Sequence, residues 1–68
     1  MSEKNIGKNI KLLRKSKKLS QTELGNQLGY AARTISDWEC GNTEPNISAI
    51  ISLVKFFDIT FDEFFDLN

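Results

Sequence analysis

The sequence predicts an all-α fold, a compact set of five short helices. Three observations predict it. Apolar residues recur three and four positions apart, the spacing that lines one face of a helix. Helix-start chemistry recurs at Ser20 with Glu23, at Asn46, and at Thr60 with Glu63. Residues that close helices in a left-handed turn follow at Gly29, Gly41 and Asp58.

Met1 to Lys4 reads as a loose tail. The first helix is predicted from about Asn5 to about Lys17, with Ile6, Ile10 and Leu13 facing the core. Leu12 lies off that face. Lys8, Lys11, Lys15, Lys17 and Lys18 occupy the remaining surface and the helix end. They read either as a solvated face suited to a helix C-terminus or as a footprint for phosphate.

The second helix starts at about Gln21. Ser20 and Glu23 stand three apart, so the serine oxygen can accept from a free backbone N–H while the glutamate reaches back. Leu24 and Leu28 share one face. Gly25 lets another helix axis cross closely, which offsets part of glycine's cost of roughly 1 kcal/mol inside a helix. Gly29 closes the helix. A third helix follows from about Ala32 to about Cys40 and ends at Gly41. Tyr30, Ile35 and Trp38 supply its inner contacts, while Ala32, Arg33, Ser36 and Asp37 fall on the outward face. Two short helices joined by a turn of about four residues at a steep angle form a helix-turn-helix.

The polar loop Asn42-Thr43-Glu44-Pro45-Asn46 comes next. Proline disfavours helix before it, and Asn46 is a good N-cap. The fourth helix runs from about Ile47 to about Phe57, with Ile47, Ile50, Leu53, Val54 and Phe57 as a wide apolar stripe and Ile51 off its centre. The fifth runs from Phe61 to about Asp66. It is too short to bury three aromatics at once. Phe57, Phe61 and one of Phe64 and Phe65 are expected in the core. The aromatic left over, with Phe56 or Ile51, forms an exposed apolar patch of the kind that marks interaction sites. Ile51, Phe56, Phe64 and Phe65 are therefore the candidates for a dimer surface, closed two-fold dimers being the commonest assembly.

Composition bounds the function. Sixty-eight residues are expected to make one domain, 1–68, with a thin core. No apolar run approaches the ~20 residues that span a bilayer. The N-terminus lacks the apolar centre of a signal peptide, so a cytoplasmic protein without membrane attachment is expected. One cysteine makes neither an internal disulfide nor a cysteine-rich metal site, and there is no histidine. No enzyme activity, metal or cofactor is expected. Net charge is zero but unevenly spread. Residues 1–40 carry eight Lys/Arg and four Asp/Glu, and residues 41–68 one lysine and five acids, a balance of +4 against −4. The basic half contains the helix-turn-helix.

The stretch Leu19-Ser20-Gln21, Glu23-Leu24, Leu28-Gly29, Thr34-Ile35-Ser36, Trp38-Glu39 and Gly41 resembles the lambda-repressor/Cro-type helix-turn-helix regulators, the XRE-like family. Similarity extends outward to Ile6-Gly7-Lys8, Ile10, Leu13-Arg14 and Lys15, and to Glu44-Pro45, Ile47, Ile50, Leu53 and Phe57, about residues 5–66 in all. The resemblance implies a lambda-repressor-like domain that binds double-stranded DNA. It implies Ala32, Arg33, Ser36 and Asp37 at base edges, with Arg33 matching guanine O6 and N7. Ser20 and Gln21 would donate to a phosphate at the start of the second helix. Asn42 and Asn46 would meet phosphate on the other side, and Thr34 a phosphate or a base edge. Arg14 would pair with Glu39 and clamp the first helix to the end of the third.

Three departures stand out. Ala31 replaces the usual serine or threonine cap, Asp37 brings a negative charge to a base-reading position, and Cys40 replaces a polar or basic residue. Asp37 either accepts from cytosine or pairs with Arg33. The resemblance implies a homodimeric transcriptional regulator, acting as a repressor on a short palindromic site, with no small-molecule ligand. A DNA-binding antitoxin or controller protein would look the same. The alternative of another class is a protein-interaction module that keeps the fold without DNA.

Overall fold

The computed structural model describes residues 6–66, and the predicted tail at Met1–Lys4 lies outside them. Five helices follow in order: α1 (Ile6–Ser16), α2 (Gln21–Leu28), α3 (Ala32–Cys40), α4 (Ile47–Phe57) and α5 (Phe61–Phe65). No strand occurs among the described residues. Nor is any described helix long and apolar enough to cross a membrane.

Local chemistry sets most helix ends. At α2 the Ser20 hydroxyl accepts from the Glu23 N–H at 2.9 Å, and the Glu23 carboxylate accepts from the Ser20 N–H at 2.8 Å. Thr60 and Glu63 repeat this reciprocal pair at α5. Asn46 Oδ1 accepts from the Ala49 N–H at 2.9 Å to open α4. Ala31 gives α3 no side-chain cap. Gly29 and Gly41 close α2 and α3 with φ of 85° and 81°. Asp58 closes α4 at φ 59°, the left-handed conformation that aspartate tolerates. Lys18 does the same after α1, at φ 58°, without that tolerance. The Leu19 N–H donates to the Arg14 carbonyl at 3.1 Å and helps hold the turn.

Ile10, Leu24, Ile35, Trp38, Ala49, Ile50, Leu53, Val54, Phe57 and Phe64 form the core. Tyr30 packs edge-on against Trp38, with ring centroids 4.9 Å apart. Two glycines permit close approach. A Cβ on Gly25 would strike the Tyr30 carbonyl, so the space there is taken by the backbone of the turn, not by a crossing helix axis as expected. A Cβ on Gly7 would strike the carbonyls of Trp38 and Glu39, which shows α1 lying directly against the end of α3.

Several apolar side chains depart from expectation. Ile47, predicted on the inner stripe of α4, is 69% exposed, and Phe61, predicted in the core, is 45% exposed. Each is the first residue of its helix, where a side chain leaning toward the N-terminus overhangs the end instead of the core. Phe64 is fully buried, which removes it from the candidate dimer surface. Leu12 is exposed, as its register predicts. Asn9 is buried in the first half of α1, a polar residue the apolar pattern passed over. Its Nδ2 donates to the Phe64 carbonyl at 2.8 Å and ties α5 to α1, while its Oδ1 has no partner among the described residues.

Candidate nucleic-acid interface

α2 and α3 pack against each other across the short turn at Gly29–Ala31. Ile35 and Trp38 turn inward from α3 and anchor it in the core. The opposite face carries Ala32, Arg33, Ser36 and Asp37. Arg33 is its most prominent group, with a side chain 85% exposed against 25% for Asp37. Arg33 Nε donates to Asp37 Oδ1 at 3.4 Å. Asn42 Nδ2, in the turn beyond Gly41, donates to the same oxygen at 3.4 Å. The left-handed Gly41 produces that juxtaposition, because it brings the Asn42 N–H back to the Asp37 carbonyl at 2.9 Å.

A buried ion pair fixes the far end of α3. Arg14 Nε donates to Glu39 Oε2 at 2.6 Å and Arg14 Nη2 donates to Glu39 Oε1 at 3.0 Å, a bidentate fork. Arg14 Nη1 also donates to the Leu19 carbonyl at 2.8 Å. The hydrogen bond to Glu39 raises the Arg14 pKa above its ordinary value; burial opposes this and the charge of Glu39 adds to it. Gln21 Nε2 donates to Glu39 Oε1 at 3.1 Å. One carboxylate thus joins α1, α2 and α3, and the Gln21 amide is partly committed to that junction, a role its sequence position did not reveal.

The remaining predicted contact residues keep particular donors open. The Ser20 backbone N–H is taken by Glu23, so it is not available as expected. The serine hydroxyl hydrogen is open, as are the first-turn N–H groups of Gln21 and Thr22, which have no intrahelical acceptor. Asn46 uses its Oδ1 as a cap and keeps its amide hydrogens. Thr34 is half-buried on α3. Ser20, Thr34 and Asn46 share no hydrogen bond with the Arg33–Asp37–Asn42 cluster among the described residues. Cys40 is exposed. Away from α3, Ile51 and Phe65 are exposed, and Phe56 is half-buried against Phe57. No group of three or more His, Cys, Asp or Glu placed to hold a metal occurs among the described residues.

A family model described as helix-turn-helix matches residues 10–64. The chain belongs to this helix-turn-helix family, of the lambda-repressor/Cro type. Over 54 residues this helix-turn-helix chain is 39% identical to the HTH-type transcriptional activator BcrR of Enterococcus faecalis, covering 79% of this chain and 26% of that protein. Over 57 residues it is 31% identical to an uncharacterized HTH-type transcriptional regulator, YqaE, of Bacillus subtilis, covering 84% of this chain and 49% of the relative. It is 36% identical over 55 residues to Repressor protein C2 of Salmonella phage P22, covering 81% of this chain and 26% of the relative. The chain therefore spans about a quarter to a half of the length of these curated relatives. No solved structure gives a significant match.

Proposed function

We propose that this helix-turn-helix chain binds a specific double-stranded DNA site in the cytoplasm and regulates transcription, acting as a homodimeric repressor on a short palindromic operator. The observation that carries the reading is the outer face of α3. Arg33 stands out from it while the far end of the helix is fastened by Arg14, Gln21 and Glu39. A guanidinium presented on a fixed helix suits guanine O6 and N7 in the major groove. Ala32 and Ser36 flank it. Ser20, Gln21, Thr34, Asn42 and Asn46 contribute donors for phosphate, which position the helix without specifying sequence. The names of the relatives, two regulators of stated direction and one of unstated direction, support transcriptional control and include both an activator and a repressor. Repression is the direction proposed, since a folded domain seated on a promoter excludes other proteins from it. Ile51, Phe56 and Phe65 are proposed to pair two copies, with half-sites expected about 34 Å apart.

The test is selection from a random duplex pool at moderate salt. A two-fold related motif is expected, and Arg33→Ala should lose preference at one position per half-site. Absence of any enriched motif from the folded protein overturns the reading. Asp37 on the outer face and the exposed aromatics favour a second reading, a protein-interaction module. Salt separates the two. Phosphate contacts predict a log–log slope of about −0.9 per contact, and an apolar partner predicts a shallow one.

A further inference from the structure

We infer that Asp37 is a positioning residue that sets base preference through Arg33 and couples it to the contact made by Asn42. This rests on the DNA-reading function proposed above. Arg33 is the second residue of α3 and Asp37 lies in its last turn. A cation near the N-terminus and an anion near the C-terminus both oppose the helix dipole. The order is also the weaker one for a pair four residues apart, which favours the acid on the N-terminal side. Helix stability therefore does not account for this pair.

Geometry supplies another role. Asp37 Oδ1 accepts from Arg33 Nε and from Asn42 Nδ2, both at 3.4 Å. The Arg33 bond uses Nε and no bond engages the two terminal nitrogens among the described residues, so the end-on edge of the guanidinium is left to donate to one guanine. A side chain with so many rotamers, 85% exposed, gains most from a tether that leaves its reading edge open. The Asn42 bond engages one amide hydrogen and leaves the other for phosphate. A single carboxylate therefore sets the spacing between a base reader on the helix and a backbone contact on the following turn. Asp37 Oδ2 accepts no hydrogen bond from the described residues, so direct acceptance from cytosine is the competing role that the experiment must separate.

The experiment repeats the duplex selection with wild type, Asp37→Ala, Asp37→Asn, Arg33→Ala and the double variant Arg33→Ala/Asp37→Ala, with melting curves run alongside. Guanine preference at the Arg33 position should fall about twofold in Asp37→Ala, the size expected of a weak surface pair. Asp37→Asn, which keeps an acceptor oxygen, should retain more of it. In the Arg33→Ala background, Asp37→Ala should change nothing at that position. The inference is overturned if Asp37→Ala alters preference at a different position independently of Arg33, since Asp37 then reads a base itself. It is also overturned if Asp37→Ala tightens binding to every duplex equally with the motif intact, since Asp37 then only repels phosphate. A wild-type protein that enriches no motif overturns the DNA-reading function first and this inference with it, whereas a wild-type motif unmoved by Asp37→Ala overturns this inference alone.

Discussion

Glu39→Ala should nearly unfold this protein. The Glu39 side chain is only 3% exposed and accepts three hydrogen bonds, two from Arg14 and one from Gln21. Its removal leaves a buried guanidinium with the Leu19 carbonyl as its remaining partner. Breaking a buried pair from one side costs about 3–5 kcal/mol. A chain of this length has a total stability of roughly 3–10 kcal/mol, at about 0.05–0.15 kcal/mol per residue. The variant should therefore melt about 12–24 °C lower for a loss of about 3 kcal/mol, as followed by circular dichroism at neutral pH. Replacing both partners with methionine should recover most of the loss, since an apolar pair leaves no buried charge behind. A fall in Tm of less than about 4 °C for Glu39→Ala is the behaviour of a solvent-screened surface pair and would rule out a buried clamp. The pH dependence has a definite sign. A pKa raised on folding gives stability that is fully present below the unfolded value and lost only as pH climbs through the folded one. For Arg14 both lie far above neutral, so the Tm gap between wild type and Arg14→Met should stay constant between about pH 7 and about pH 9.

Four further outcomes follow from packing, capping and surface exposure. Gly7→Ala should lower the urea midpoint, because the added methyl meets the Trp38 and Glu39 carbonyls and the overpacking cost of about 1–3 kcal/mol exceeds alanine's helical advantage. A raised midpoint would show that α1 can move aside. Ala31→Ser should stabilise by about 1 kcal/mol by supplying the missing cap of α3, read as a rise in Tm. Phe64→Ala should cost about 3–5 kcal/mol by opening a core cavity. Phe65→Ser should leave the melting of dilute protein nearly unchanged and weaken self-association in sedimentation equilibrium. Equal effects on melting would refute the assignment of one aromatic to the core and the other to the surface.

The features legible in the sequence are those decided within a few residues. Ser20 with Glu23, Thr60 with Glu63, Asn46, Gly29, Gly41 and Asp58 all act on their own helix ends, and each stands where local chemistry puts it. The outward face of α3 was legible because Ile35 and Trp38 fix which side is inside. The Arg14–Glu39 bond follows the family resemblance, though its third donor does not. Gln21 reaches Glu39 across 18 positions, and Asn9 reaches Phe64 across 55, distances over which periodicity carries no information. Periodicity misled at Ile47, and the apportioning of aromatics at Phe61, because both residues stand at the first position of a helix, where a side chain overhangs the end. Gly7 reads locally as a weak helix former, and its reason for being glycine lies at the other end of α3.

The two ends of α3 are held very differently, and that asymmetry has a kinetic consequence. Glu39 fastens the C-terminal end through three donors, while the N-terminal end has no side-chain cap and begins with a tight bond from the Thr34 N–H to the Ala31 carbonyl. Amide hydrogens in the last turn should exchange with solvent only when the three-helix frame opens, whereas those of Thr34 and Ile35, the first bonded amides of the helix, exchange through local fraying. The helix therefore unwinds from the turn that carries Arg33. That first turn can adjust its pitch to the surface it meets while the register of the remaining helix is kept by the frame behind it.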